Sequence, residues 1–534
     1  MLAALLSCVP LASALVSAPL AARAPARVAA FASTTETGKV VVDPDTVDAA
    51  RAALAKTVPP GTAENAKFKL DESVAAWRAF QASGPQPTAA DNLREVGVIA
   101  GKIAAEGGAG MAYSLTHALR TGYFLGNALL GTLSFELAER SRGGETRGAS
   151  EEHASVAGFG GPSSAPPRAS TPREGEAAAS STATTNPYQP VNNPSPFPRM
   201  LGINPDIATR LLLEAALVYQ QDWGHVSAKR IKRPWDMTPG HRQTTPWFAA
   251  RQTGRFVSEA IGTLARRKKL NGSPAGVWLD ASPGMYPTYY RNDFHYQTDG
   301  WMSSASANVY ETSTETLFLG RQDAMQRHSL LPLADFAKAR AARTGGAYRP
   351  MRILEIACGT GRFTTFVRDN HPDADVTACD LSPFYLEAAR ENDRYWRERA
   401  GASSGTRVAP PPVTLVQAAA EDLPFDDGEF DAVVCVYLFH EVPKEARAKA
   451  AAEMCRVAAP GGIVVLTDSI QKGDRPVLDD QLGAFSYMNE PHYADYIRTD
   501  LSELYEAHGL KCDQKYVAST SKTLSFIKPD EKGE

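Results

Sequence analysis

Cysteine is scarce in this chain of 534 residues: six, at Cys8, Cys358, Cys379, Cys435, Cys455 and Cys512, with no CxxC pair. Such scattering excludes a disulfide framework and offers no zinc-ligand spacing, so no metal is expected and a reducing compartment fits. Charge of one sign is also missing. A formal net charge of −4 gives no reason for a polyanionic partner, and no nucleic acid is expected. Beyond the first 22 residues, long hydrophobic runs are scarce too. The longest uncharged stretch in the apolar region Arg94 to Arg142 is Thr121 to Phe135, 15 residues. A spanning helix needs ~20 apolar residues. A helix pair packed on the rest of the protein is the simpler reading there, with peripheral membrane contact as the alternative.

Acidic residues are missing between Met1 and Thr35, where an apolar run from Leu2 to Leu20 is broken by Pro10 and Pro19. Arg23, Arg27 and an Ala/Ser-rich stretch follow, and residues 1–40 read as a targeting presequence. The step Ala29-Ala30-Phe31 resembles the junction of bipartite plastid presequences, which implies a plastid location. A mitochondrial or secretory address is the alternative.

Downstream, residues 41–140 read as a helical region, with Asp43 to Phe80 weakly amphipathic. Residues 141–200, rich in Gly, Ser, Ala, Thr and Pro without a hydrophobic period, read as a disordered linker. A helical and aromatic-rich region then spans 201–345. Its first helix starts at Asn204-Pro205, cap residue and first-turn proline, and carries Ile207, Leu211, Ala215 and Val218 at helical spacing. A second runs from Pro246 to Asn271-Gly272 with Arg266 to Lys269 in its last turn, where cations complement the helix dipole. Tyr286, Tyr289, Tyr290, Phe294, His295, Tyr296 and Trp301 form a cluster with no regular period. It is either core or an aromatic wall over a substrate pocket. A long helix is expected from Ser306 to Leu330.

From residue 346 to 530 strands and helices alternate. Met351 to Ile356 reads as a buried strand, Ala357-Cys358-Gly359-Thr360-Gly361 as a tight turn, and Arg362 to Asn370 as a helix. Gly359 and Gly361 allow backbone to approach a ligand where a Cβ would collide. N–H groups at the helix start favour an anionic group. A second strand, Asp375 to Cys379, ends at Asp380, 19 residues beyond Gly361. At that spacing a carboxylate can take both hydroxyls of a ribose.

LEIACGTGR, VTACDLSPFYLEAAR, AAAEDLPFDDGEFDAVVCVYLFHEV and RVAAPGGIVVLTD resemble the successive motifs of class I S-adenosylmethionine-dependent methyltransferases, in the branch of the quinone-ring C-methyltransferases. The resemblance covers about Met351 to Lys528. It implies an α/β, Rossmann-like sheet of seven strands closed by an antiparallel C-terminal hairpin, Lys515 to Ser519 and Thr523 to Ile527, preceded by a mostly helical N-terminal region. It implies S-adenosyl-L-methionine as cofactor. Glu355 would hold the methionine amino end through the glycine turn, Asp380 the ribose, and the Ala420 N–H the adenine ring. The chain departs from the family where an acid binds the adenine amino group: Ala419 stands there, and Glu421 or Asp422 is left to take the contact. The segment Tyr286 to Leu333 also resembles a group of cyanobacterial and plastid methyltransferases.

The implied reaction is methyl transfer to a small, hydrophobic, quinone- or lipid-like acceptor. Positioning supplies much of such a rate, with a base needed only where the acceptor loses a proton. His440, after the strand Asp431 to Leu438, is the candidate base, with a structural histidine as the plainer reading. His295 and Tyr296 are weaker candidates, and Ser486 to Tyr493 is a candidate substrate loop. Gly359-Thr360-Gly361-Arg362-Phe363-Thr364 lacks the third small residue of a nicotinamide dehydrogenase turn, and Cys435-Val436-Tyr437-Leu438 is unlike the Asn/Asp-Pro-Pro-Tyr of base or glutamine methyltransferases. A non-catalytic cofactor-binding scaffold, or an enzyme acting on protein or RNA, are the competing functions.

Overall fold

The computed structural model describes residues 64–80, 88–142, 205–238, 240–268, 286–291, 297, 299–343, 349–404, 410–483 and 490–530. The presequence, the linker from residue 143 onward, Phe294 to Tyr296 and the first half of the Ser486 to Tyr493 loop lie outside them.

The centre is one sheet. Its strands are β1 (Lys69–Leu70), β2 (Arg352–Ile356), β3 (Asp375–Asp380), β4 (Thr414–Gln417), β5 (Phe430–Val436), β6 (Ala458–Ser469), β7 (Lys511–Ala518) and β8 (Ser521–Ile527). The order is β1-β7-β8-β6-β5-β2-β3-β4. β2 to β6 are mutually parallel where they pair, and β8 runs antiparallel to both β6 and β7. The seven strands expected from residue 346 onward are all there. β1 is an eighth, from the N-terminal region, pairing in parallel with β7 through Lys69↔Gln514 and Leu70↔Lys515.

Both faces of the sheet are covered, so its central strands read as apolar runs without alternation. In β5, Val433 and Cys435 join one buried cluster with Met454, Tyr505 and Phe526, while Ala432 and Val434 join the other with Phe366, Leu386 and Trp396. Successive side chains of a strand point to opposite faces, which divides them this way.

Among the described residues the α-helices of five residues or more are α1 (Glu72–Ala79), α2 (Ala89–Ala105), α3 (Gly108–Arg142), α4 (Pro205–Ser227), α5 (Pro246–Lys268), α6 (Ser304–Leu317), α7 (Gln322–Gln326), α8 (Leu330–Arg343), α9 (Arg362–Asn370), α10 (Pro383–Ser404), α11 (Lys444–Val457) and α12 (Leu501–Glu506). Thr88 and Asp91 form a reciprocal capping box on α2. The N-terminal residues are built into the fold. Glu64 accepts from Lys515 Nζ (2.8 Å) and Lys522 Nζ (2.8 Å), and Asp474 accepts from Lys515 (2.5 Å), all four side chains buried. Tyr113 of α3 donates to Asp222 of α4, whose other oxygen meets Arg327 at 3.0 Å.

Two expectations are corrected. Asp43 to Phe80 is not one helix where it is described: a helical turn, Glu64–Lys67, gives way to β1 before α1 starts behind its Asp71 cap. Ser306 to Leu330 is not one helix either. α6 stops at Leu317 because Leu319 (φ 53°) and Gly320 (φ 84°) are left-handed, and α7 and α8 continue after the break.

Candidate functional site

The turn after β2 carries three left-handed residues, Ala357 (φ 55°), Gly359 (φ 55°) and Gly361 (φ 71°). Such a φ is ordinary for glycine and strained for alanine, so Ala357 marks stored strain at the turn. A Cβ on Gly361 would lie 2.9 Å from the Ala389 Cβ of α10, so glycine there lets α10 close on the turn. The Gly359 N–H donates to Asp380 Oδ2 (2.9 Å) and the Ser382 N–H to Asp380 Oδ1 (2.8 Å), so the acid at the end of β3 braces the turn. Burial pushes the Asp380 carboxyl up, against these backbone hydrogen bonds. Each of its oxygens keeps a lone pair for a further donor.

Glu355, on β2 beneath the turn, is 2% exposed, and its Oε2 has no hydrogen-bond partner. Burial pushes its pKa up to about 8. The Thr364 hydroxyl lowers it only in part, and a buried carboxylate oxygen without a partner is a costly atom that a cationic ligand would satisfy.

Ala420 and Glu421 follow β4, where Ala419 bridges to Asp422. The Tyr289 hydroxyl donates to Glu421 Oε1, so the acid that would replace the missing adenine contact is already shared with an aromatic side chain. Tyr286, Tyr290 and Met302 pack with Tyr289, Trp301, Leu381 and Phe384. The described part of the aromatic cluster therefore lies beside the end of β3, on the Asp380 side.

On the other side of the turn is a cavity of about 370 Å³. Its walls come from α3 (Thr116, Leu119, Arg120, Tyr123, Phe124), from Asp236 to Gln252, from α6 and α7, and from the turn with Glu355, Val436 and Tyr437. None of the described residues from Tyr286 to Met302 lines it. Its floor is a buried charge cluster. Arg120 bonds Glu315 and Asp323, and Arg362, the residue after Gly361, bonds Asp236 and Asp323. The two guanidiniums hold Asp323 well below the usual carboxylate range, while burial raises Glu315 despite Arg120. Glu311 adds a further acid, accepting from Thr360 Oγ1 (2.8 Å) and Asn392 (2.9 Å). Four carboxyls thus face two guanidiniums, a field that suits a cationic or neutral ligand and opposes an anion.

Glu355, Gly359, Gly361 and Asp380 are brought together, and Ala420 and Glu421 follow the neighbouring strand end. His440, the weak candidate for a base, lies between two acids. Its Nδ1 lies 2.5 Å from Asp468 Oδ1 and its Nε2 3.5 Å from Glu441, and it does not line the cavity. Burial lowers its pKa, but Asp468 and Glu441 outweigh burial and push it well above the ordinary imidazole value. Arg120, Asp236, Glu315 and Asp323 went unrecognised in the sequence. One signal was there: Arg120 is the only charged residue between Gly108 and Phe135.

Residues 353–462 match the family model described as "Methyltransferase domain". The chain is 31% identical over 128 residues to a demethylmenaquinone methyltransferase of Deinococcus radiodurans, covering 24% of this chain and 47% of that protein. It is 34% identical over 119 residues to the demethylmenaquinone methyltransferase of Thermus thermophilus, covering 22% and 47%. An uncharacterized methyltransferase of Synechocystis is 29% identical over 167 residues, covering 31% and 69%. The chain spans about half the length of the first two of these relatives. The strand order and the glycine turn define a Rossmann-like fold, and with these matches the protein carries a class I methyltransferase domain. The cofactor of that domain is S-adenosylmethionine, and the residues present fit it. Glu355 offers a buried carboxylate oxygen, Oε2, without a partner to an ammonium, and the left-handed turn leaves room at Gly359, where a Cβ would meet nothing closer than 3.9 Å.

Proposed function

We propose that the protein transfers a methyl group from S-adenosylmethionine to a small apolar acceptor of the quinone or lipid type. One observation carries this reading: the cavity that starts at the glycine turn is walled farther out by Leu119, Tyr123, Phe124, Phe248 and Ala249. Apolar walls with a few placed polar groups are how sites for apolar ligands are built. The relatives named demethylmenaquinone methyltransferases support a quinone ring as acceptor.

In this reading Glu355 pairs with the methionine ammonium, and the N–H groups opening α9 face its carboxylate. Asp380 takes the ribose hydroxyls, the Ala420 N–H the adenine ring, and Glu421 acts together with Tyr289. The cofactor supplies an electrophilic methyl group, and the protein's task is alignment of the acceptor behind it. The walls from α3 and α5 orient the acceptor and keep water from the reacting centre. The excess of acids in the floor disfavours anionic acceptors.

The test is transfer of label from methyl-labelled S-adenosylmethionine to a reduced quinone mixture or lipid extract, read in the organic phase. Calorimetry showing NAD binding without S-adenosylmethionine binding would overturn the reading. We also propose a plastid location, supported by the composition of residues 1–40, tested by the destination of a fluorescent protein carrying them.

A further inference from the structure

α3 has an unusual outer face. Its buried side chains, Tyr113, His117, Phe124 and Leu125, point toward the fold, and its one charge before Glu136, Arg120, is spent on Glu315 and Asp323. The outer face carries Met111 (60% exposed), Leu115 (59%) and Leu119 (67%), spaced four residues apart, with exposed Ala112, Ala118 and Gly122 beside them. A helix on the surface of a soluble protein ordinarily puts charge there. Contiguous exposed apolar surface marks an interaction site.

This stripe runs into the mouth of the cavity. Leu119 belongs to both, exposed outside and lining within. Across the mouth stands Trp247 at the start of α5, 79% exposed, between Pro246 and Phe248, which both line the cavity. One turn further on α5, Arg251 is exposed. The two helices form one surface: Tyr123 Oη donates to the Ala249 carbonyl (3.1 Å) and Thr253 Oγ1 to Asn127 Oδ1 (2.8 Å). Tryptophan beside a cation, next to an uncharged helix face, is the composition that lies in a lipid headgroup boundary. Among the described residues no helix is long and apolar enough to cross a membrane.

We propose that the outer face of α3 and Trp247 seat the protein on an anionic lipid membrane, so that the cavity mouth opens onto the bilayer. An apolar acceptor then enters sideways from the lipid without crossing water, while the charged floor and the glycine turn stay on the far side. That route rests on the acceptor reading above; the docking does not.

The experiment is flotation of the full chain with vesicles of equal parts phosphatidylcholine and phosphatidylglycerol, beside the double variant Met111→Glu, Leu115→Glu. Both proteins carry the same residues 1–63, so a difference between them reads the α3 face. The wild type floats with the vesicles, and the variant binds at least ~10-fold more weakly while its S-adenosylmethionine affinity, by calorimetry, is unchanged. Trp247→Ala also weakens flotation, and Arg251→Glu weakens it on these vesicles but not on phosphatidylcholine alone. The proposal is overturned if the wild type stays with the buffer, or if the double variant floats equally well. It is also overturned if light scattering finds a dimer that the double variant makes monomeric while neither binds vesicles, since a second copy then covers the face. Flotation as expected with no label reaching any lipid-soluble acceptor leaves the docking standing and refutes the acceptor reading alone.

Discussion

Glu355 makes cofactor binding a proton-releasing event. Burial pushes its pKa up to about 8, so at pH 7 roughly nine in ten molecules carry the proton there. The methionine ammonium of the cofactor demands the ionised form. At an ordinary α-amino pKa near 8, about one-tenth of that amine is unprotonated at pH 7 and takes a proton back. Binding at pH 7 therefore releases about 0.8 proton net. The sign follows directly: below about pH 8 each unit of acidification weakens binding about tenfold, or about 1.4 kcal/mol. Above it the amine loses its own charge, so affinity peaks near pH 8. In the unliganded protein the same raised carboxyl weakens folding as pH climbs from 4.5 toward about 8, because the unfolded state ionises first. The assay is calorimetry at pH 7 in phosphate and in Tris, whose ionisation enthalpies differ; the slope of apparent enthalpy gives the protons released. Glu355→Gln abolishes the slope and weakens binding roughly 10- to 150-fold. Tight binding by the wild type with equal enthalpy in both buffers would refute the reasoning.

Asp380→Ala removes both the ribose acceptor and the brace on Gly359, so S-adenosylmethionine binding weakens by about 100-fold with the fold retained; unchanged affinity in a folded variant would remove Asp380 from the site. Gly361→Ala pushes a Cβ to 2.9 Å from Ala389 at φ 71°, at a cost of ~1–3 kcal/mol for the overpacking and more for the strained φ, read as a lower Tm. Glu64→Ala leaves Lys515 and Lys522 with Asp474 as their one shared carboxylate, beside the neutral amides of Asn65 and Gln471. Denaturant titration should show a loss of ~3–5 kcal/mol; a loss under 1 kcal/mol would mean that the N-terminal segment is not held by this cluster.

The parts of the fold legible in the sequence were those with local signals. β2, the glycine turn and β3 announce themselves by an apolar run, closely spaced glycines and an acid, and the structure keeps Glu355, Gly359, Gly361 and Asp380 within one turn and two strand ends. What stayed hidden depends on distance along the chain. Arg120 meets Glu315 and Asp323 across 195 and 203 residues, and no periodicity encodes such a meeting. β1 is two residues long, too short for a pattern, and exists because β7 offers an edge. The break between α6 and α7 was obscured because residues around Leu319 and Gly320 favour a helix locally. The tertiary fold overrides that preference: Gly320 gives its carbonyl to Arg120 Nε (3.1 Å). The plainer reading of His440, a structural histidine, could not be given a partner from the sequence, because Asp468, 2.5 Å from its Nδ1, lies on a later strand.

Label transfer with the cavity narrowed bears most directly on methyl transfer to an apolar acceptor. Ala249 lines the cavity wall away from the glycine turn, so Ala249→Phe fills acceptor space while leaving the cofactor residues alone. With methyl-labelled S-adenosylmethionine and a reduced quinone mixture, the wild type should put label into the organic phase. The variant should lose most of that transfer and bind the cofactor with unchanged affinity in calorimetry. Label in the organic phase at equal rates from both proteins, or none from the wild type while it binds the cofactor, would contradict the account.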